Sequence, residues 1–240
     1  MKKLTALLVA AMLVVTIITP SSMTPTAVTA HSLTPAHSLT SAHSPTPAFN
    51  DISGHWAESV IEKFADRNIV SGFPDGSFRP NQPVTRAELA RIITLAFDLT
   101  EEVEFSFTDT DENRWYYQYL KFALRFIPTH QFPESTFVGS HNAHRSDVAE
   151  TLVRIKLYRE NLAIDMPQIE YIHEYITTRF RDSDYHFGDI NFPNVERLFT
   201  FTWLATTLGI MEGDPSGYFR PAWGITRAEL LVTISRIIDI

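Results

Sequence analysis

Apolar residues recur along this chain with the spacing of helices, and they do so in related blocks. Between positions 55 and 68, Val60, Ile61, Phe64 and Ala65 fall on one helical face, and Ile69 closes the segment. After a turn-rich interval, Leu89, Ile92, Ile93, Ala96 and Phe97 follow at i, i+3, i+4, i+7 and i+8, which makes one buried stripe. Thr85 and Glu88 precede that stripe as a T-x-x-E capping box, in which each side chain satisfies an orphan backbone N–H. Thr226 and Glu229 stand in the same relation to Leu230, Ile234, Ile237 and Ile238. A middle block places Val148, Leu152 and Ile155 behind Asp147, but His144 holds the capping position, which predicts a weaker helix start. Between the middle and last blocks, Ile169, Ile172, Ile176 and Phe180 are spaced for an added amphipathic helix.

The polar intervals repeat as well. Residues 72–88 read GFPDGSFRPNQPVTRAE and residues 213–229 read GDPSGYFRPAWGITRAE, aligned without a gap. Gly72 and Gly213 fall in register, as do Phe78 with Phe219 and Arg86 with Arg227. A weaker copy matches Trp115 to Trp56, Phe137 to Phe78 and Arg145 to Arg86. The repeats open on Asp51 (Phe49-Asn50-Asp51), Asp109 (Phe107-Thr108-Asp109) and, in the third, Asp189 (Phe187-Gly188-Asp189). Within each loop, Gly72 permits a turn that a side chain would hinder, Pro74-Asp75-Gly76 is a β-turn signal, and Phe78 can pin the loop to a core. Each unit reads as helix, loop, helix. One such unit cannot bury its stripe alone, whereas three can share a core. The expected class is all-α, with three helical hairpins about an approximate three-fold axis. The repeats span about 49–100, 105–158 and 180–240, with an insertion at about 159–179.

The N-terminal region is different. Lys2 and Lys3 followed by an apolar run and small residues at 28–30 read as a signal peptide over 1–30. Residues 31–48 repeat a Ser/Thr/Pro/His-rich hexapeptide and read as a flexible linker. Its His31, His37 and His43 are read as repeat drift in preference to a metal tract. Cysteine is absent, so no disulfide or thiolate chemistry supports the fold. The net charge of −8 argues against nucleic acid and anionic membranes as partners. An anionic polymer would need a few placed cations.

F-x-D, then Trp, then G-x-P-D-G-x-F-x-P, then T-R-A-E resembles the S-layer homology domain, over about residues 49–240. The resemblance implies a three-pronged spindle with grooves between prongs. It also implies noncovalent attachment to secondary cell-wall polysaccharide, pyruvylated sugars included, or to a peptidoglycan-linked polymer. No cofactor and no metal is implied, and the protein is expected to be secreted to the cell surface.

Arg86, Arg145 and Arg227 are the foremost candidates for glycan contact. A guanidinium fork matches a carboxylate, and the helix N-terminus beside it favours an anion. The competing reading makes each arginine an internal brace. Trp56 and Trp115 suit the C–H face of a sugar ring or, alternatively, anchor the core. Asp51, Asp109 and Asp189 are candidates to accept sugar hydroxyls or to cap first helices. Gly72 and Gly213 allow close approach of a ligand or simply the turn. Glu88 and Glu229 rank below the arginines because capping already occupies them. A catalytic role is not expected, since no recognised catalytic motif is present and the repeats leave no separate region for a catalytic domain. The alternative function is an envelope adaptor that docks a protein partner through the inserted helix.

Overall fold

The repeated apolar stripes fold into seven α-helices among the residues that the computed structural model describes, which are 49–129, 135–182 and 195–239. They are α1 (Glu58–Asp66), α2 (Arg86–Ala96), α3 (Tyr117–Ala123), α4 (Arg145–Glu160), α5 (Ile169–Arg179), α6 (Val195–Thr207) and α7 (Arg227–Ser235). The described residues contain no strand beyond three isolated bridges, so the all-α expectation holds. They lie within one unit, Ser44–Ile240. The expected signal peptide, the linker and the Asp189 opening lie outside the described residues.

The stripes are buried along most of their length, although Val60, Ile237 and Ile238 are only partly covered and the last two lie beyond the end of α7. Leu89, Ile93, Val148, Leu152, Leu230 and Ile234 are all fully enclosed. Thr85 and Thr226 cap α2 and α7 through complete capping boxes with Glu88 and Glu229. His144 makes no capping bond to α4, as its side chain predicts. The first helix is shorter than its apolar pattern. It begins at Glu58, because His55 folds a tight turn in which its Nδ1 accepts from the Ala57 N–H at 3.2 Å.

Second helices pack on the first helix of the next repeat. α2 lies on α3, α4 on α6, and α7 on α1, which returns the chain to its start. Three backbone bonds at the centre close the same circuit, each donor reaching back to the preceding repeat. Val84 donates to Ile225 (2.9 Å), Ile225 to Ala143 (3.0 Å), and Ala143 to Val84 (2.8 Å). All three side chains are fully buried. The inserted helix α5 packs on α6 through Ile172 and Ile176, so the added apolar pattern reads correctly as a helix.

α6 is tied to α4 by an ionic cluster. Arg197 donates through Nε to Glu150 at 2.9 Å and also through Nη2, while Arg154 reaches the same carboxylate at 2.8 Å. Glu150 is 4% exposed, and a carboxylate so deeply buried is costly to leave unpaired, which the two arginines prevent. Arg197 is the residue that stands, without a gap, where the other repeats have tryptophan. In the third repeat that position secures the fold.

The arginines at the helix starts brace the ring. Arg86 donates to the carbonyls of Phe137 (3.0 Å) and Pro128 (2.9 Å) and pairs with Asp147 at 3.4 Å. Arg145 does the same with Phe219 (2.8 Å), Glu212 (2.9 Å) and Glu229 (3.5 Å). Arg227 closes the circuit on Phe78 (2.9 Å), Ser71 (2.9 Å) and Glu88 (3.4 Å). Each guanidinium also lies over the loop phenylalanine of the next repeat, at 4.4–5.4 Å from its centroid. Burial pushes the Arg86 guanidinium below its ordinary pKa, and the charges of Asp147 and Asp109 oppose that shift. Removing Arg86 leaves a buried carboxylate and two buried carbonyls behind. Arg86→Ala is expected to lose about 3–5 kcal/mol of stability in urea titrations, and a loss below about 1 kcal/mol would show that the seam is held elsewhere.

His144 adds a pH dependence. Its buried Nδ1 has no hydrogen-bond partner among the described residues, and its ring stands edge-on to His141 at 5.2 Å. Burial, then the charges of His141 and Arg86, lowers its pKa below 6.5. The unfolded chain therefore binds this proton more readily than the folded one, and stability falls as pH drops below about 6.5. His144→Thr should remove that loss and add a cap worth about 1 kcal/mol. Melting curves at about pH 8 and about pH 5 should show the larger gain at the acid end. An equal gain at both would mean that His144 does not titrate in the fold.

Candidate functional site

The loops that face the seams are shaped by a recurring aspartate. Asp51 accepts from the Phe78 and Arg79 N–H groups, both at 2.7 Å. Asp109 accepts from Phe137 at 2.9 Å and Val138 at 2.7 Å. Asp182 accepts from Phe219 at 3.0 Å and Arg220 at 2.6 Å. The second residue of each pair has left-handed backbone, with φ of 58° at Arg79, 54° at Val138 and 56° at Arg220. A side chain there is unfavourable, a β-branched one most of all. The clamped carboxylate holds the conformation. Neither Asp51 nor Asp109 caps a first helix, since Ala57 and Tyr116 occupy those positions.

The third clamp is Asp182, in Phe180-Arg181-Asp182, a residue that the sequence reading did not single out, while Asp189 lies outside the described residues. The signal of Asp182 was present in the F-x-D pattern but hidden in two ways. Phe180 also completes the stripe of α5, and the separation from aspartate to loop phenylalanine is 37 residues here, against 27 and 28 in the other repeats.

The glycines serve the same opening phenylalanines. A Cβ on Gly72 would meet the Phe49 ring at 2.5 Å and the Ser77 carbonyl at 2.7 Å. One on Gly213 would meet Phe180 at 2.8 Å. Close packing of an aromatic ring, and not the turn itself, demands glycine at both. The left-handed turn glycines are Gly76 and Gly217.

Around these loops the repeats form two grooves. The first, of about 450 Å³, gathers Trp56 from repeat 1, Arg145 from repeat 2, and Gly213, Glu229 and Trp223 from repeat 3. The second, of about 300 Å³, gathers Trp115 from repeat 2, Arg227 from repeat 3, and Gly72, Glu88 and Arg91 from repeat 1. Each therefore takes one part from every repeat, in the same cyclic order. Both volumes suit a small ligand.

Electrostatics separate the two. The first groove balances Arg145, Arg220 and Arg236 against Glu212, Asp214 and Glu229. The second holds Arg91 and Arg227 against Glu88 alone. Burial lowers the Arg227 pKa, Glu88 raises it, and the nearby cations Arg91 and Arg79 lower it further. A local excess of positive charge therefore sits in this groove on an acidic protein.

The placement of the sequence candidates is uneven. Trp56 and Trp115 are 64% and 53% exposed, which overturns the core-anchor reading. Trp223, equally open at 53%, was missed because no tryptophan recurs in that register, and Arg220 stacks on it at 4.2 Å. The arginines lie deeper than expected. Arg86 is fully buried, while Arg145 and Arg227 keep only a margin of 12% and 7%. The helix N-termini are also engaged. The Arg86 and Ala87 N–H groups donate to His141 and Gly139, and the Arg145 and Arg227 amides do likewise across their seams. Those amides are not available to an anion, contrary to the sequence expectation. Glu88 and Glu229 use Oε2 for capping and turn Oε1 toward the seam arginines.

The two glycines give a graded test. Gly72→Ala forces a ring and a backbone carbonyl to move, whereas Gly213→Ala meets mainly a ring edge. Gly72→Ala should cost about 1–3 kcal/mol and Gly213→Ala less, read from denaturant midpoints. The reverse order would contradict the close-packing account.

Comparison with known proteins finds related sequences. The chain is 28% identical to an amylopullulanase of Thermoanaerobacterium thermosulfurigenes over 200 residues, which is 80% of this chain and 9% of that protein. It is 27% identical to an exoglucanase, XynX, of Acetivibrio thermocellus over 198 residues, 80% of this chain and 16% of that one. A surface-layer 125 kDa protein of Lysinibacillus sphaericus is 30% identical over 105 residues, covering 44% of this chain and 9% of its own. The chain thus spans only a small part of these relatives. The S-layer homology domain model matches residues 48–90 and 204–231, the stretches that hold the first and third loops.

Proposed function

We propose that this chain anchors noncovalently to the bacterial cell wall by binding an anionic secondary polysaccharide in its two grooves. The observation that carries the reading is the composition of each groove. An exposed tryptophan, a loop pinned by a close-packed glycine and the edge of a buried arginine come together from three separate repeats. Indole faces suit pyranose rings. The positive excess around Arg227 supports an acidic substituent such as a ketal carboxylate. Relatives named for surface layers and for cellulosome anchoring support attachment at the cell surface. The enzymes among the relatives share only a minor part of their length with this chain, which supports a binding role over a catalytic one.

A second reading has one observation in its favour. α5 leaves Tyr171 55% exposed, and a hollow of about 360 Å³ lined by Ile169, His173, Val195 and Phe199 lies between α5 and α6. Such a face suits a protein partner, as the adaptor alternative requires.

Tryptophan variants test the leading reading without disturbing the ring. Trp56→Ala and Trp115→Ala should each weaken retention on purified sacculi about tenfold, and together they should abolish it. Sacculi stripped of secondary polymer should not retain the wild-type protein. Undiminished retention by the double variant, or by stripped sacculi, would overturn the proposal.

A further inference from the structure

A third cleft, of about 510 Å³, lies on the other side of Trp115. Repeat 1 contributes Gln82, Thr85 and Glu88 to it, and repeat 2 contributes Arg114, Trp115 and Ser140. Trp115 and Glu88 also line the groove that holds Arg227, so the two spaces share a wall. One repeat further round, the corresponding positions are Trp223, Thr226, Glu229 and Trp56. There they belong to a single continuous groove together with Arg145 and Gly213. The Arg227 groove and the third cleft are therefore two halves of one channel that bends around Trp115.

Arg114 distinguishes the outer half. It immediately precedes Trp115 and is exposed. The guanidinium has no hydrogen-bond or ion-pair partner among the described residues, unlike Arg86, Arg145 and Arg227. At the corresponding place in repeat 1 stands His55, whose ring is engaged with Asn81 and the Ala57 N–H. An unpaired fork beside an open indole is the arrangement that an acidic sugar recruits.

We propose that Arg114 and Trp115 form a second anionic subsite, so that this channel holds two successive charged units of one polymer. One acidic substituent faces the cationic region of Arg227 and Arg91. The sugar between them crosses Trp115, and the next substituent meets Arg114. This inference rests on the wall-polymer reading above, and it limits the ligand to a polymer whose negative charges repeat along the chain.

The test uses the full chain and secondary polymer released from sacculi, separated by size into single repeating units and longer fragments. The wild-type protein should bind long fragments more tightly than single units, with a steeper salt dependence. Arg114→Gln should remove about tenfold of the long-fragment affinity and flatten its salt dependence, leaving single-unit binding unchanged. Because Arg114 has no side-chain partner among the described residues, the variant should melt with the wild type, and its circular dichroism checks this. Trp115→Ala should weaken both fragment classes. Unchanged long-fragment binding by Arg114→Gln, with Trp115→Ala still impaired, would overturn the second subsite alone. Intact binding of both classes by Trp115→Ala, or no binding of either by wild type, would overturn the wall-polymer reading and the subsite with it.

Discussion

Three backbone hydrogen bonds at the centre, among Val84, Ala143 and Ile225, govern the rest of the structure. Each of these residues immediately precedes the N-cap of a second helix, so their mutual bonding fixes where α2, α4 and α7 begin. The helix start then fixes the reach of the first helical arginine, and that arginine fixes the loop of the following repeat. No repeat closes this sequence alone, because its helix start is satisfied by the next repeat and its loop by the previous one. The apolar character of the three central residues follows from this. A polar side chain there would be sealed away from water with its bonding partners already assigned.

The ring also decides where a ligand can bind. The donors that an anion would seek first, the guanidiniums and the amides at the helix starts, are largely consumed in joining repeats. Their deep burial makes them strong braces and leaves them small contact areas. What remains for recognition lies along the margins of the seams: indole faces, the outer carboxylate oxygens, and cations such as Arg91 and Arg114 that the ring does not use. The grooves are therefore products of assembly, since each needs three repeats in place before it exists.

Local physics was legible in the sequence, and the assembly was less so. The T-x-x-E boxes, the stripes of α2, α4 and α7 and the added helix α5 all follow from short-range spacing, and each appears where it was expected. The loop register was also visible, because phenylalanine and arginine recur at fixed offsets. Burial was harder to read. Arg86 and Trp115 look like a surface cation and a core ring when taken by type, and the structure reverses both. The sequence records that an arginine recurs, but not that its partners are carbonyls in another repeat. The Asp182 clamp was obscured for a related reason: the first half of the third repeat is longer, so a search at the spacing of the other two passes over it.

The unequal repeats can be understood from the length of one side chain. At the third position of α2 and α7, glutamate caps its helix with one oxygen and still turns the other toward the seam arginine, remaining 24% and 39% exposed. At the same position in α4 stands aspartate. Its shorter arm meets Arg86 inside the protein, where the pair is 1% and 0% exposed. That seam is given over to cohesion, while the other two keep a charged edge at the surface. The backbone ring does not sense this difference, because Ala143 bonds through its main chain whatever the helix start behind it carries. The second repeat can thus lose its capping threonine and its glutamate while still joining its neighbours. This is the physical reason why the Arg86 pair is sealed inside its seam, whereas the Arg145 and Arg227 pairs keep a partly exposed carboxylate.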